Sequence, residues 1–359
     1  MKTLRRVLAL AGLMTVAWIG RAQGPATQSA PAEPKGGIYP GERHFRSLRQ
    51  LTFGGENAEA YWSFESDRLI FQSTRDGYPC DRIYTVDLES VDAEPRLVST
   101  GSGKTTCGYF YPGGEKILYA STHLAAPDCP PRPDFSQGYV WALDPGFDIF
   151  KANADGSDLV RLTDTAGYDA EATIAPNGGA IVFTSVRDGD LELYVMGPDG
   201  EHPKRLTDAA GYDGGAFFSP DSRRIVWRAA RPAAGAERDD YFDLLKQHQI
   251  RPGKLELFVM NADGSGQRQV TDLGGANFAP YFHPDGRRII FVSNHREPQG
   301  RNFDLFLVRD DGGELEQLTT YQGFDGFPMF DASGKRLVFA SNRLGKQRGE
   351  TNIFLAELE

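Results

Sequence analysis

The sequence predicts an all-β protein, a six-bladed β-propeller closed by an N-terminal strand that completes the last blade. Three observations lead there. A two-strand hairpin pattern recurs along the chain, each copy runs on into two more short strands, and the last copy stops one strand short while a spare strand stands ahead of the first. Repeats of about 40–50 residues with four strands each are the sequence mark of propeller blades.

At the start, Lys2, Arg5 and Arg6 precede an apolar run from Val7 to Gly20, and Gly20-Arg21-Ala22 sets small residues where a signal peptidase cuts. Residues 1–22 therefore read as a secretory signal. The run is shorter than the ~20 residues of a membrane span, so no stable span is expected after cleavage. Residues 23–45, rich in Pro, Ala and Gly, read as a disordered tether, because so few apolar side chains cannot offset the entropy of ordering. Residues 46–359 are the propeller.

That region opens with Ser47-Leu48-Arg49-Gln50-Leu51-Thr52, a strand with no partner in its own repeat. Hairpins follow, anchored at Leu69, Ile117, Ile181, Ile225, Ile289 and Leu337. The reversal before each anchor uses turn residues: Glu65-Ser66-Asp67, Pro112-Gly113-Gly114, Pro176-Asn177-Gly178, Pro220-Asp221-Ser222, Pro284-Asp285-Gly286 and Ala332-Ser333-Gly334. A third strand such as Glu192-Leu193-Tyr194-Val195-Met196 comes next. Then an Asp-Gly turn (Asp155-Gly156, Asp199-Gly200, Asp263-Gly264, Asp311-Gly312) leads to a fourth strand ending in Leu162-Thr163, Leu206-Thr207, Val270-Thr271 or Leu318-Thr319. The sixth repeat reaches Glu359 just after its third strand. Pairing residues 49–51 with 353–356 would close the ring and remove an exposed sheet edge.

The motif order Leu206-Thr207, Gly211-Tyr212-Asp213, Ser219-Pro220-Asp221, Ile181-Val182-Phe183 and Asn261-Ala262-Asp263-Gly264 resembles the WD-like propeller repeats of the TolB family, over roughly residues 46–359. The resemblance implies the architecture; activity does not follow from it, because propellers carry many unrelated functions. TolB proteins themselves carry an α/β domain ahead of the propeller, whereas a short segment precedes the first blade here, so a role in the Tol system is not implied.

A formal net charge of -10 argues against nucleic acid, whose binding depends on neutralising phosphates with basic residues. Export places Cys80, Cys107 and Cys129 in an oxidising compartment, giving one disulfide and one free thiol. Cys80 and Cys129 sit in loops between second and third strands of adjacent blades, on one face, and are the favoured pair; Cys107 with Cys129 is the other arrangement. Two loops on that face are long, residues 123–146 with Trp141 and residues 231–254 with a short helix around Tyr241. Long loops on a compact scaffold are commonly functional.

Alignment of the repeats puts Asn57, Thr105, Asp169, Asp213, Asn277 and Asp325 at the start of each inner strand, with Glu59, Cys107, Glu171, Gly215, Ala279 and Phe327 two positions on. Arg75, His123, Arg187, Arg231, His295 and Arg343 end the second strands. An acidic and a basic ring thus meet at one mouth. In one reading the basic groups pair with neighbouring carboxylates and fix the blades, holding the carboxyl pKa values down. In the other, Asp169, Asp213 and Asp325, with Glu171, hold Ca²⁺ on the axis, since that ion takes six to eight oxygens. Apart from that ion no cofactor is expected.

Gly103-Lys104-Thr105 lacks the first glycine of a phosphate loop and leads into a strand, and Asn153-Ala154-Asp155-Gly156-Ser157 lacks the downstream Glu of a calcium loop. Neither a Gly-x-Ser-x-Gly elbow nor a His-Glu-x-x-His motif occurs. The expectation is an exported, periplasmic or secreted, monomeric and non-catalytic scaffold. It would bind a protein, peptide or envelope polymer at the loop-rich mouth through the residues above. The alternative is a carbohydrate-active enzyme or sugar-binding protein using the axial carboxylates.

Overall fold

Six four-stranded antiparallel sheets make up nearly all of the computed structural model, which describes residues 35–90, 94–136 and 138–359. The predicted signal and most of the predicted tether lie outside the described residues. Blade one runs inner to outer through Asn57–Trp62, Arg68–Ser73, Arg82–Asp87 and Arg96–Leu97, and each later blade repeats the order. Anchors Leu69, Ile117, Ile181, Ile225, Ile289 and Leu337 all lie in second strands with 0% of their surface exposed, which is why each repeat needs an apolar residue there.

Within every blade an aromatic pair faces across the second and third strands: Phe71 and Tyr84, Tyr119 and Phe150, Phe183 and Tyr194, Trp227 and Phe258, Phe291 and Phe306, Phe339 and Phe354. Ring centroids lie 5.5 to 6.3 Å apart, the distance at which aromatic pairs contribute beyond area burial. The Leu-Thr ending of the outer strands has a mechanical reason. The hydroxyls of Thr163, Thr207, Thr271 and Thr319 accept the N–H of Ile149, Leu193, Leu257 and Leu305, near the start of the facing third strand, at 2.8 to 2.9 Å.

The sixth blade is closed by the N-terminal strand Phe45–Gln50. It pairs antiparallel with Asn352–Leu358, with Arg49 opposite Leu355 and Gln50 opposite Phe354, and Leu51 N–H continues the ladder to Ile353 O. Thr52 then accepts the Ile353 N–H as its counterparts do in other blades. Residues 35–44, within the stretch read from composition as tether, pack against the same blade. Glu42 is buried and its carboxylate accepts from Arg343 Nη1 and Nη2 at 3.2 and 3.0 Å. Composition averaged over that stretch hides one side chain that docks.

Each inner strand carries one β-bulge. The ladder slips between Ala58 and Tyr61 in blade one and at the equivalent place in the other five. The residue at the slip has positive φ in all six blades: Glu59 (51°), Cys107 (54°), Glu171 (56°), Gly215 (58°), Ala279 (49°) and Phe327 (52°). A bulge leaves its extra residue outside the ladder and turns it locally. Among the described residues no helix is long and apolar enough to cross a membrane.

Candidate functional site

The predicted acidic and basic rings resolve into separate pairs in the third, fourth and sixth blades. Arg187 donates to both oxygens of Asp169 at 3.1 Å, Arg231 to Asp213 at 2.6 Å, and Arg343 to Asp325 at 2.6 Å. The same cations lie over their own blade's aromatic pair: Arg187 over Phe183, Arg231 over Phe258 and Arg343 over Phe339, each at 5.1 Å. Arg75 stacks on Phe71 and Tyr84. His123 and His295 stack on Phe150 and Phe306 at 4.6 Å, and burial lowers both imidazole pKa values. Each of these side chains makes those contacts with its own blade.

The carboxylates of the calcium expectation are each engaged separately. Asp169, Asp213 and Asp325 are 1%, 0% and 0% exposed, each engaged by its own arginine. Among the described residues no three His, Cys, Asp or Glu side chains converge as a metal site would require. The expected lowering of carboxyl pKa values is also reversed. Burial raises Asp169, and raises Asp213 to about 7, in spite of Arg187 and Arg231.

What converges on the axis is a different cluster, built on the bulge residues. Glu171 accepts from Arg228 Nη2 at 2.5 Å, Thr184 Oγ1 at 2.8 Å, Gly215 N at 2.9 Å and the Tyr212 hydroxyl at 2.9 Å. Arg228 Nε in turn donates to the Tyr212 oxygen at 3.0 Å, and against the pull of burial its pKa is raised by Glu171 and Tyr212. Glu59 and Cys107 face this pair across a cavity of about 20 Å³, also lined by Tyr61 and Phe217. That is room for about one water. Burial lifts Glu59 to about 7 against its hydrogen bond with Cys107 and the field of Arg228, and its Oε2 is buried without a hydrogen-bond partner. Burial, then the neighbouring Glu59, keeps Cys107 a thiol.

Blade four makes room for this pair. A Cβ on Gly214 would stand 2.3 Å from Glu171 Oε2 and the Tyr212 hydroxyl, and one on Gly215 2.3 Å from Arg228 Nη1. The positions matching Arg228 in other blades hold Gln72, Ala120, Thr184, Val292 and Ala340. Alignment of the mouth positions therefore passes over Arg228. The paired glycines at the inner-strand bulge are the available signal.

The two long loops meet above this cluster. Trp141–Ala142 of the first pairs antiparallel with Gln249–Ile250 of the second, and Trp141 lies 5.1 Å over the Arg228 guanidinium. The helix Ala236–Leu245 is fixed by Tyr241, which is buried and donates to Asp190 Oδ1 at 2.5 Å. Tyr241, expected at the binding surface, is therefore an anchor for its loop. Cys80 and Cys129 form a disulfide, Cα atoms 5.9 Å apart, tying the first loop to blade one, and Cys107 is free. Between the loops lies an open cleft of about 310 Å³ lined by Asp134, Val140, Asp240, Asp243, Leu244, Gln247, Gln249 and Arg251.

No family model matches the chain. It is 29% identical to a TolB homologue of Chlorobium chlorochromatii over 213 residues, 56% of this chain and 43% of that protein. It is 51% identical to dipeptidyl-peptidase 5 of Porphyromonas gingivalis over 39 residues, 11% of this chain and 6% of that protein. The chain thus matches less than half the length of either curated relative. Among solved structures, a TolB from Agrobacterium tumefaciens superposes with a TM-score of 0.56 at 18% identity, covering 85% of this chain and 91% of that one. A gluconolactonase from Xanthomonas campestris gives a TM-score of 0.55 at 15% identity, covering 90% and 94%. At those identities the likeness is one of fold.

Proposed function

We propose that this chain, a TolB-like propeller, is an exported, non-catalytic binding protein that takes a protein, peptide or envelope polymer at the mouth carried by its two long loops. One observation carries the reading: the cavity beside Glu59 holds about 20 Å³, while about 310 Å³ stands open between the loops. Ligand sites run to ~300–1,000 Å³, so the cleft falls in that range and the axial cavity does not. A periplasmic or secreted location fits the Cys80–Cys129 disulfide, which an oxidising compartment maintains.

A second reading, a carbohydrate-active enzyme, is favoured by Glu59. A carboxyl lifted to about 7 beside the Glu171–Arg228 pair is the kind of group that acts as a general acid. Trp141 lies over the Arg228 guanidinium on the loop side of that carboxyl.

The test is crosslinking capture from an envelope extract with the exported domain, repeated after residues 131–139 are replaced by a Gly-Ser linker. Loss of the captured partner is the expected result. Capture that ignores the replacement, or lactone or polysaccharide turnover abolished by Glu59→Gln, would overturn the binding reading.

A further inference from the structure

We propose that the cleft between the two long loops receives an extended, Lys- or Arg-rich segment of a partner polypeptide, its cationic side chains held by Asp240 and Asp243 and stacked on Phe135 and Tyr139. This rests on the binding reading above and names its ligand class.

The charge of the cleft comes first. Asp134, Asp240 and Asp243 line it against one cation, Arg251. Asp240 accepts from Arg251 Nε at 3.0 Å and Asp243 from Lys246 Nζ at 2.8 Å, both pairs at exposed positions. Such exposed pairs are weak and open readily, so an incoming ammonium or guanidinium can take the place of either cation. Backbone and hydroxyl hydrogen bonds from Ser136 hold the Asp134 carboxyl below its usual pKa, so it remains an anion.

The second, independent observation is aromatic. Phe135 and Tyr139 are 49% and 64% exposed and stack on each other with ring centroids 5.7 Å apart, on the loop that supplies Asp134 and Val140 to the cleft. Most large aromatics among the described residues are buried; this pair is exposed. Exposed aromatic rings and carboxylates on one loop can attract a cationic segment by two mechanisms, ring quadrupole and ion pairing. Extended backbone suits the site, because Gln247 and Gln249 line it with amide groups able to donate and accept. The chain's formal charge of -10 adds a long-range field that draws in cations and repels acidic polymers.

The probes are fluorescently labelled hexalysine, hexaglutamate and the neutral sugar maltohexaose, titrated into the exported domain by anisotropy. Hexalysine is expected to bind, weakening steeply as salt rises from about 50 to 300 mM. Asp240→Asn with Asp243→Asn is expected to weaken it about tenfold or more. Phe135→Ala with Tyr139→Ala is expected to weaken it about threefold without moving the melting midpoint. The control, Asp311→Asn with Glu314→Gln, removes exposed charge from a turn between third and fourth strands on the opposite face and should change nothing. The ligand class is overturned if hexalysine fails to bind, or if the control weakens it as much as the cleft variant does. Should maltohexaose or hexaglutamate bind in a manner lost with residues 131–139, the ligand class fails while the binding mouth stands. If neither probe binding nor envelope capture depends on those residues, both proposals fail.

Discussion

Replacing Arg343 with Met is the sharpest test of how the ring is closed. The guanidinium is 0% exposed and donates to Asp325 Oδ2 at 2.6 Å, Glu42 Oε1 at 3.0 Å and Gly37 O at 2.9 Å, with the rings of Tyr39, Tyr321 and Phe339 around it. Methionine keeps much of the volume and removes the charge. Asp325 and Glu42 are then two carboxylates in one buried place with no cation between them. Leaving a buried charge uncompensated costs ~3–5 kcal/mol, and at ~1.5 °C per kcal/mol for a domain of this size the melting midpoint should fall by ~6 °C at pH 8. The pH dependence separates causes. Carboxylates stripped of their cation are relieved by protonation, so the variant's folded state binds more protons than its unfolded state, and stability must rise as pH falls from 8 to 5. Adding Asp325→Asn and Glu42→Gln to the same chain removes the titrating groups and should restore most of the loss at both pH values. Calorimetry or urea melts at pH 5 and 8 read all of this. An equal loss at both pH values, unaffected by the two amides, would mean that ring packing, and not charge, holds the closure.

Glu59→Gln should flatten the pH profile of the wild-type protein. The Glu59 pKa is raised from 4.5 to about 7 in the folded state, so its contribution is present below about pH 4.5 and is lost as pH rises through 7. The lost contribution is as much as ~3 kcal/mol, read as the difference between variant and parent in urea midpoints at pH 5 and 8. Gly214→Ala should destabilise by ~1–3 kcal/mol, because the new Cβ meets Glu171 Oε2 and the Tyr212 hydroxyl at 2.3 Å; a midpoint within error of the parent in urea would refute the close fit. Cys80→Ser with Cys129→Ser opens a cross-link spanning 49 residues, for which loop-closure entropy sets a loss of up to ~4 kcal/mol. Thermal melts of the parent with and without reductant should differ, and those of the double variant should coincide.

The architecture was legible in the sequence because each blade spends its apolar residues in the same register. The six anchors fall at equivalent places in the repeats and all are fully buried, and the spare strand ahead of the first repeat pairs with Asn352–Leu358. The site was less legible, for two physical reasons. Arg187, Arg231 and Arg343 stand at equivalent positions, which suggested a shared ring, yet each reaches the carboxylate of its own blade. Equivalence in sequence says which residues occupy like places, and not whether those places touch. Arg228 and Glu171 come from neighbouring blades and meet where those blades pack together, so no pattern within one repeat records them. The pairing of Trp141 with Ile250 across two loops is likewise too short to have a periodicity.

The bulge in every inner strand has an evolutionary consequence. Because the residue there stands outside the ladder, its side chain can differ from blade to blade while the interstrand pairings on either side of it stay the same. An acid, a thiol, a second acid, two small residues and a phenyl ring already occupy them in this one chain. The axis is therefore a set of neighbouring slots on a common frame, where a change of chemistry in one blade is felt by the slot beside it, as Glu171 is by Gly215, while the wheel around them keeps its shape.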